Sequence, residues 1–329
     1  METTTMGGAR VSRVGLGTWA IGGQEWGAVP EQQAIELVLG ALERGINLID
    51  TAPIYGRFRS EELIGKALRQ HGRREDFFLA TKCGLEWEGR SVWANSTPAR
   101  LAEELEGSLK RLGSDYIDLY QVHWPDTLIP VEETAEVMAG FQRSGKVRAV
   151  GVSNFSVEQM ERFRRVTPLT SDQPPYNLFE RQIESDTLPW CHTNGVAVLT
   201  WSSLCRSLLG GRLTRPLSEE KSHVRGFDPK FQEPRYGQYF AAVERLAALA
   251  RERFSRSLPQ LAVRWVLDQP GVSVALWGAR SAEQLDTVAG AMDWHIDAGT
   301  LQEIDRILTE TVTDPVGPEY LTPRVRQVG

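Results

Sequence analysis

The sequence predicts an α/β fold, a single (β/α)8 barrel of the TIM type, and three observations predict it. Short apolar or β-branched runs alternate with helical patterns eight times along the 329 residues. Strands separated by helices of about 10–15 residues form βαβ units and a parallel sheet, and eight such units close on themselves. The glycine fingerprint of the competing fold, an open doubly wound sheet, is incomplete: "GLGTWA" offers Gly15 and Gly17 but Ala20 in the third place. Residues 1–329 are therefore expected as one domain, with a short N-terminal extension, an extra C-terminal helix and an irregular Pro-rich tail over 313–329.

The units follow in order. "SRVGLGTW" leads to "PEQQAIELVLGALERG", "NLID" to "SEELIGKALRQ", "FFLATK" to "TPARLAEELEGSLKRLG", and "YIDLYQVH" to "VEETAEVMAGFQRSG". "KVRAVGVS" leads to "SVEQMERFRRV" and "LTSDQ" to "ERQIESDTLPWCHTN". "VAVLTW" leads through a long loop to "YFAAVERLAALARERF", and "VSVALWG" to "SAEQLDTVAGAM". In the third helix Thr97 stands at the N-cap, Pro98 at the first turn, and Lys110, Arg111 and Gly113 at the end, where cations and a left-handed glycine belong. Residues 205–235 break the rhythm. A charged loop of that length, with proline and glycine in it, reads as a covering or binding loop.

Composition sets limits. A chain that is 41% hydrophobic with net charge −6 has a core and no overall attraction for polyanions, which argues against a nucleic-acid partner. The opening "METTTMGGAR" has no signal-peptide core, and no window reaches the ~18 apolar residues of a membrane helix. Cys83, Cys191 and Cys205 are too few and too scattered for a disulfide framework. Free thiols fit a reducing compartment, so a cytoplasmic location is expected. No His/Cys pair has zinc spacing, so no metal is expected. The sequence sets no oligomeric state.

In such barrels the chemistry sits at the C-terminal ends of the strands. Asp50 ends the second, with Tyr55 in the turn beyond it; Lys82 ends the third and His123 the fourth. Each alone has a bland reading, as a cap, a packed ring or a satisfied imidazole. Lys82 is the anomaly, because a buried lysine is costly. Together they handle protons. A phenol is a poor acid at neutral pH, with a reference pKa of ~10. A neighbouring ammonium favours its anion. An aspartate holds the lysine charged, and a histidine donates to a carbonyl oxygen. Such a set protonates an oxygen while a hydride reaches carbon.

The stretches "GLGTW", "LIDTAPIYG", "ATKCG", "QVHWPD", "GVSNFS", "SDQPPYNL" and "GARSAEQL", in this order, resemble the aldo-keto reductase family over nearly the whole chain. The branch it looks most like is the bacterial one of glyceraldehyde and sugar-aldehyde reductases. The resemblance implies a barrel, a nicotinamide cofactor, and reduction of a small carbonyl compound or oxidation of its alcohol. It carries the family tetrad onto Asp50, Tyr55, Lys82 and His123, with Tyr55 as proton donor. It implies cofactor contacts at Gly17, Thr18 and Trp19, carboxamide contacts at Ser153, Asn154 and Gln173, and stacking on Trp201. Ser202, Leu204, Arg206 and Arg212 would follow the pyrophosphate, and Gly278, Ala279, Arg280 and Gln284 the adenosine, at a helix N-terminus suited to phosphate. Arg280 beside a 2′-phosphate favours NADP (as NADPH) over NAD. Trp277, Val288 and the "SSLCRSLLGG" loop depart from the family pattern. Trp26, Trp87 and Trp124 are expected as substrate walls. Two other readings compete: a catalytically weak NADP(H)-binding regulatory subunit that senses redox state, and a Schiff-base lyase using Lys82.

Overall fold

The computed structural model describes residues 1–23, 26–215 and 223–326. Its centre is a closed barrel of eight parallel strands. In chain order these are Val14–Gly17, Leu48–Asp50, Phe78–Cys83, Ile117–Val122, Val147–Val152, Ser171–Asp172, Ala197–Thr200 and Val272–Gly278. Each pairs with the next, and the eighth pairs with the first.

The two-residue period of a strand sorts its side chains. Leu48, Phe78, Ala80, Leu119, Ala149, Leu199, Val274 and Leu276 form one buried cluster. Their outward neighbours, among them Val14, Ile49, Leu79, Tyr120 and Val150, join the helices in a second, larger one. The inner cluster also holds Met6 and Val11. Both come from a hairpin, Thr3–Met6 with Ala9–Ser12, which is the expected N-terminal extension. A Cβ on Gly7 at its turn would stand 3.0 Å from the Ala149 Cβ, so the hairpin is pressed against the barrel residues.

The first five helical patterns fold as expected, from Glu31–Glu43 to Val157–Arg164, and the sixth is shorter than expected, with a 3-10 turn, Gln182–Glu184, before the helix Thr187–Asn194. The third starts at Pro98 and ends at Gly113 with φ of 64°. Its Thr97 hydroxyl donates to Asn95 Oδ1 at 2.8 Å and does not cap the helix. The last two units differ from expectation. A second helix, Leu258–Asp268, follows Arg235–Phe254 after a left-handed turn at Ser255, opened by a capping box of Ser257 and Gln260. "SAEQLDTVAGAM" forms no α-helix. It makes two 3-10 turns, Ala282–Leu285 and Val288–Ala291, and Gln260 Nε2 donates to the Thr287 carbonyl between them at 2.9 Å.

The extra C-terminal helix is Ala298–Thr311. The tail beyond it holds one 3-10 turn, Glu319–Leu321, and a backbone bond from Arg324 N to Val92 O of 3.0 Å. Val92 belongs to a hairpin the sequence did not announce, Leu85–Glu88 with Ser91–Ala94. Residues 216–222 of the long loop lie outside the described residues. Its flanks form 3-10 turns at Cys205–Gly210 and Pro229–Phe231 and a short helix, His223–Phe227. No described helix is long and apolar enough to cross a membrane, and no described cluster of acidic, His and Cys residues could hold a metal.

Candidate active site

Asp50, Lys82 and Gln121 point into the barrel because they extend the inward rows of their strands, one layer beyond the apolar fill. Lys82 Nζ donates to Asp50 Oδ1 at 2.6 Å, to the Thr51 carbonyl at 3.0 Å and to Tyr55 Oη at 3.2 Å. Burial alone would push the Lys82 ammonium toward neutrality. The Asp50 carboxylate and the phenol outweigh it, and the lysine stays charged. Asp50 is held from every side. Gln173 Nε2 donates to its Oδ2 at 2.8 Å, Gln121 Nε2 reaches the same oxygen at 3.5 Å, and the Thr18 hydroxyl donates to its backbone carbonyl at 2.7 Å.

Tyr55 reaches over the rim on a tight turn. Gly56 has φ of 62°, and a Cβ there would fall 2.0 Å from the Gly22 carbonyl oxygen, so only glycine lets the chain pass behind the phenol. The His123 ring lies edge-on to Tyr55, with centroids 5.9 Å apart. Burial, with Lys82 nearby, holds its pKa well below the usual histidine value, so the imidazole is neutral. Burial pushes the Cys83 thiol well up, which leaves it an inert neighbour.

A dinucleotide needs a stretch of rim bare of side chains. Gly278 pairs in register with Gly17, and Gly17 with Asp50. A Cβ on Gly278 would meet nothing within 4 Å, and one on Gly17 nothing nearer than 3.7 Å. This notch opens beside the acid. Asn154 follows the strand across the mouth from Gly17, and Trp201 follows the strand that pairs with the one ending at Gly278. Asn154 Nδ2 donates to the His123 carbonyl at 3.0 Å, and Trp201 Nε1 donates to Asn154 Oδ1 at 3.2 Å. Ser153 donates to the Gln173 carbonyl at 2.6 Å. The residues present thus fit an extended dinucleotide.

Several expected contacts sit differently. Thr18 is fully buried, and its hydroxyl secures Asp50. Arg206 does not offer its guanidinium to a phosphate. It is 4% exposed and paired with Glu180 and Asp228, so the expected side-chain contact is withdrawn. Arg212 is exposed, and Leu204 is half-buried. Ser202 has a left-handed backbone and accepts from Arg206 at 2.6 Å. Arg280 donates to the Gly27 and Ala28 carbonyls at 3.4 and 3.1 Å, while Gln284 Oε1 accepts its backbone N–H at 2.8 Å. Ala279 is buried beneath it. The α-helix whose N-terminus was expected to suit a phosphate is absent, and two 3-10 turns stand in its place.

Of the expected walls, Trp26 packs edge-on against Trp19 at 5.5 Å, and Trp19 lies stacked over Tyr55 at 6.3 Å. Trp124 is half-buried directly after His123. Trp87 stands on the unannounced hairpin, against Phe58 at 5.3 Å. Gln121 was missed from the sequence, although it stands two residues before His123 on the inward row.

Residues 13–309 match the Aldo/keto reductase family. The chain is 50% identical over 329 residues to the aldo-keto reductase YhdN of Bacillus subtilis, covering 99% of each. Its fold superposes on the glycerol dehydrogenase of Gluconobacter oxydans with a TM-score of 0.87 at 44% identity, over 96% of this chain and 98% of that one. An aldo/keto reductase of Klebsiella pneumoniae in complex with NADP and acetate gives a TM-score of 0.72 at 28% identity, over 99% of both chains. The barrel and these likenesses agree: the chain belongs to the aldo/keto reductase family, NAD(P)-dependent oxidoreductases of carbonyl and alcohol groups.

Proposed function

We propose that the protein is an NADPH-dependent reductase of small aldehydes and ketones, able to run in reverse on the alcohols. The observation that carries this reading is the Lys82 ammonium lying 3.2 Å from the Tyr55 hydroxyl and 2.6 Å from Asp50. A phenol beside a fixed ammonium can release its proton and survive as the anion. NADPH, when bound, supplies the hydride. Tyr55 gives its proton to the carbonyl oxygen, Lys82 stabilises the phenolate left behind, and Asp50 keeps Lys82 charged and aimed. The neutral His123 donates to the same carbonyl oxygen and orients it.

Gly17 and Gly278 leave room for the cofactor, Ser153, Asn154 and Gln173 surround its carboxamide, and Trp201 flanks the ring. Ser202, Leu204 and Arg212 follow the pyrophosphate. Arg280 reads the 2′-phosphate, which favours NADPH over NADH. Trp26, Trp87 and Trp124 wall the substrate space. The glycerol dehydrogenase likeness supports short hydroxylated aldehydes, such as glyceraldehyde, as the substrate class.

The test is NADPH consumption against a panel of aldehydes, sugars and ketones, repeated with Tyr55→Phe. Turnover should fall by about 10²–10⁴-fold in the variant, with NADPH binding retained. Unchanged turnover would remove Tyr55 from its role. Negligible wild-type turnover across the panel with tight NADPH binding would favour a regulatory subunit.

A further inference from the structure

Outside the reaction centre, the chain buries four charged side chains together. Glu180, Arg206, Asp228 and Lys230 have side-chain exposures of 0–1%. Arg206 Nε donates to Asp228 Oδ2 at 2.8 Å, and its terminal nitrogens donate to both Glu180 oxygens. Lys230 Nζ donates to Glu180 Oε1 at 2.8 Å and lies 3.8 Å from Asp228 Oδ1. Two cations balance two anions. Burial pushes the Glu180 carboxyl up, but Arg206 and Lys230 outweigh it and hold the group ionised. The Tyr320 ring covers the cluster, 5.7 Å from the Arg206 guanidinium and 5.2 Å from Lys230 Nζ.

Such a cluster is a poor device for stability alone, since apolar side chains of similar volume serve as well. What distinguishes this one is what it is tied to. Cys205, Arg206 and Ser207 are three successive residues with φ of 46°, 49° and 75°. Non-glycine backbone in this region persists only where its surroundings over-determine it. Arg206 donates back to Ser202 Oγ at 2.6 Å, inside the same turn. Asn177 Nδ2 donates both to Glu180 Oε2 at 2.7 Å and to the Ser202 carbonyl at 3.0 Å. The turn follows directly from Trp201, whose indole holds Asn154 at the reaction centre.

We propose that Glu180, Arg206, Asp228 and Lys230 act as a positioning clasp that sets the Ser202–Ser207 turn in the shape that receives the cofactor pyrophosphate. This rests on the NADPH reading above. The four residues touch neither substrate nor cofactor. They fix the turn before the cofactor arrives, so their effect falls on binding and not on chemistry. Lysine cannot replace Arg206, because the planar fork bonds two carboxylates and a hydroxyl at once.

The test uses the full chain with Glu180→Gln, measuring NADPH Kd by fluorescence titration and single-turnover reduction of glyceraldehyde at saturating NADPH. Loss of one charged partner should raise Kd by about tenfold or more while the saturated rate stays within about threefold. An unchanged Kd with only a lowered Tm would make the cluster structural and overturn the proposal. A reduced saturated rate at unchanged Kd would overturn it as well. Should Glu180→Gln fail to fold, Asp228→Asn keeps the shape and removes one charge, and an unchanged Kd there overturns the clasp. Failure of the wild type to bind NADPH would overturn the cofactor reading and the clasp together. Tight wild-type binding matched by the variants would overturn the clasp alone.

Discussion

Lys82 Nζ stands 2.6 Å from Asp50 Oδ1, with side-chain exposures of 1% and 3%. Breaking a buried pair by removing one partner costs about 3–5 kcal/mol, because the other charge is stranded. Lys82→Met should therefore lower the unfolding free energy by about that amount in urea melts. It should also cut carbonyl turnover by at least about 10²-fold, since the phenol loses its cation. A stable variant with full turnover would refute both assignments.

His123 sets an acid limit. Its folded pKa lies well below 6.5, through burial and then Lys82. The unfolded chain takes up this proton near pH ~6.5 and the folded chain does so only at lower pH. The stability His123 contributes is thus present above that value and lost as pH falls below it. Urea melts at pH 5 and pH 7 should differ less in His123→Gln than in the wild type, and an equal difference would place the imidazole outside the buried site.

Glu104 acts in the opposite direction. Burial raises its carboxyl to about 7, against the pull of Arg100 and of the Gly84 N–H it accepts at 2.6 Å. The folded chain holds this proton longer than the unfolded one. Its contribution is therefore full below pH ~4.5 and lost as pH rises toward 7. Glu104→Gln keeps an acceptor for Gly84 and removes that slope. Relative to wild type it should gain stability between pH 5 and pH 8, measured by denaturant titration.

Arg280 separates the two cofactors. A charge-assisted hydrogen bond contributes about 1.5–3 kcal/mol, so Arg280→Met should weaken NADPH binding by about 10–100-fold. NADH, which lacks the 2′-phosphate, should bind almost as before. Equal weakening of both would show that Arg280 acts through the Gly27–Ala28 loop it already holds.

The parts legible in the sequence are those governed by a short period. Asp50, Lys82 and His123 each close an apolar strand, so the topology alone gathers them at one rim. Gln121 was equally readable, since it alternates with Leu119 on the same face. The last unit was not: its helical pattern folds as two 3-10 turns, and the Thr287 carbonyl between them is bonded by Gln260, 27 residues away. Arg206 looked like a phosphate ligand because its loop position is local information. Its true partners lie 22 and 26 residues off, at Asp228 and Glu180, and no spacing rule connects them. The capping box of Ser257 and Gln260 was a local signal that went unread.

The hairpin carrying Met6 and Val11 has a kinetic consequence. It stoppers the far end of the barrel with apolar side chains shared with Leu48, Ala149 and Leu199. Among the described residues, that end of the barrel is closed and the mouth lies at the C-terminal ends of the strands. Any dinucleotide and any carbonyl compound would then have to share that mouth, and each would stand in the other's way as it comes and goes.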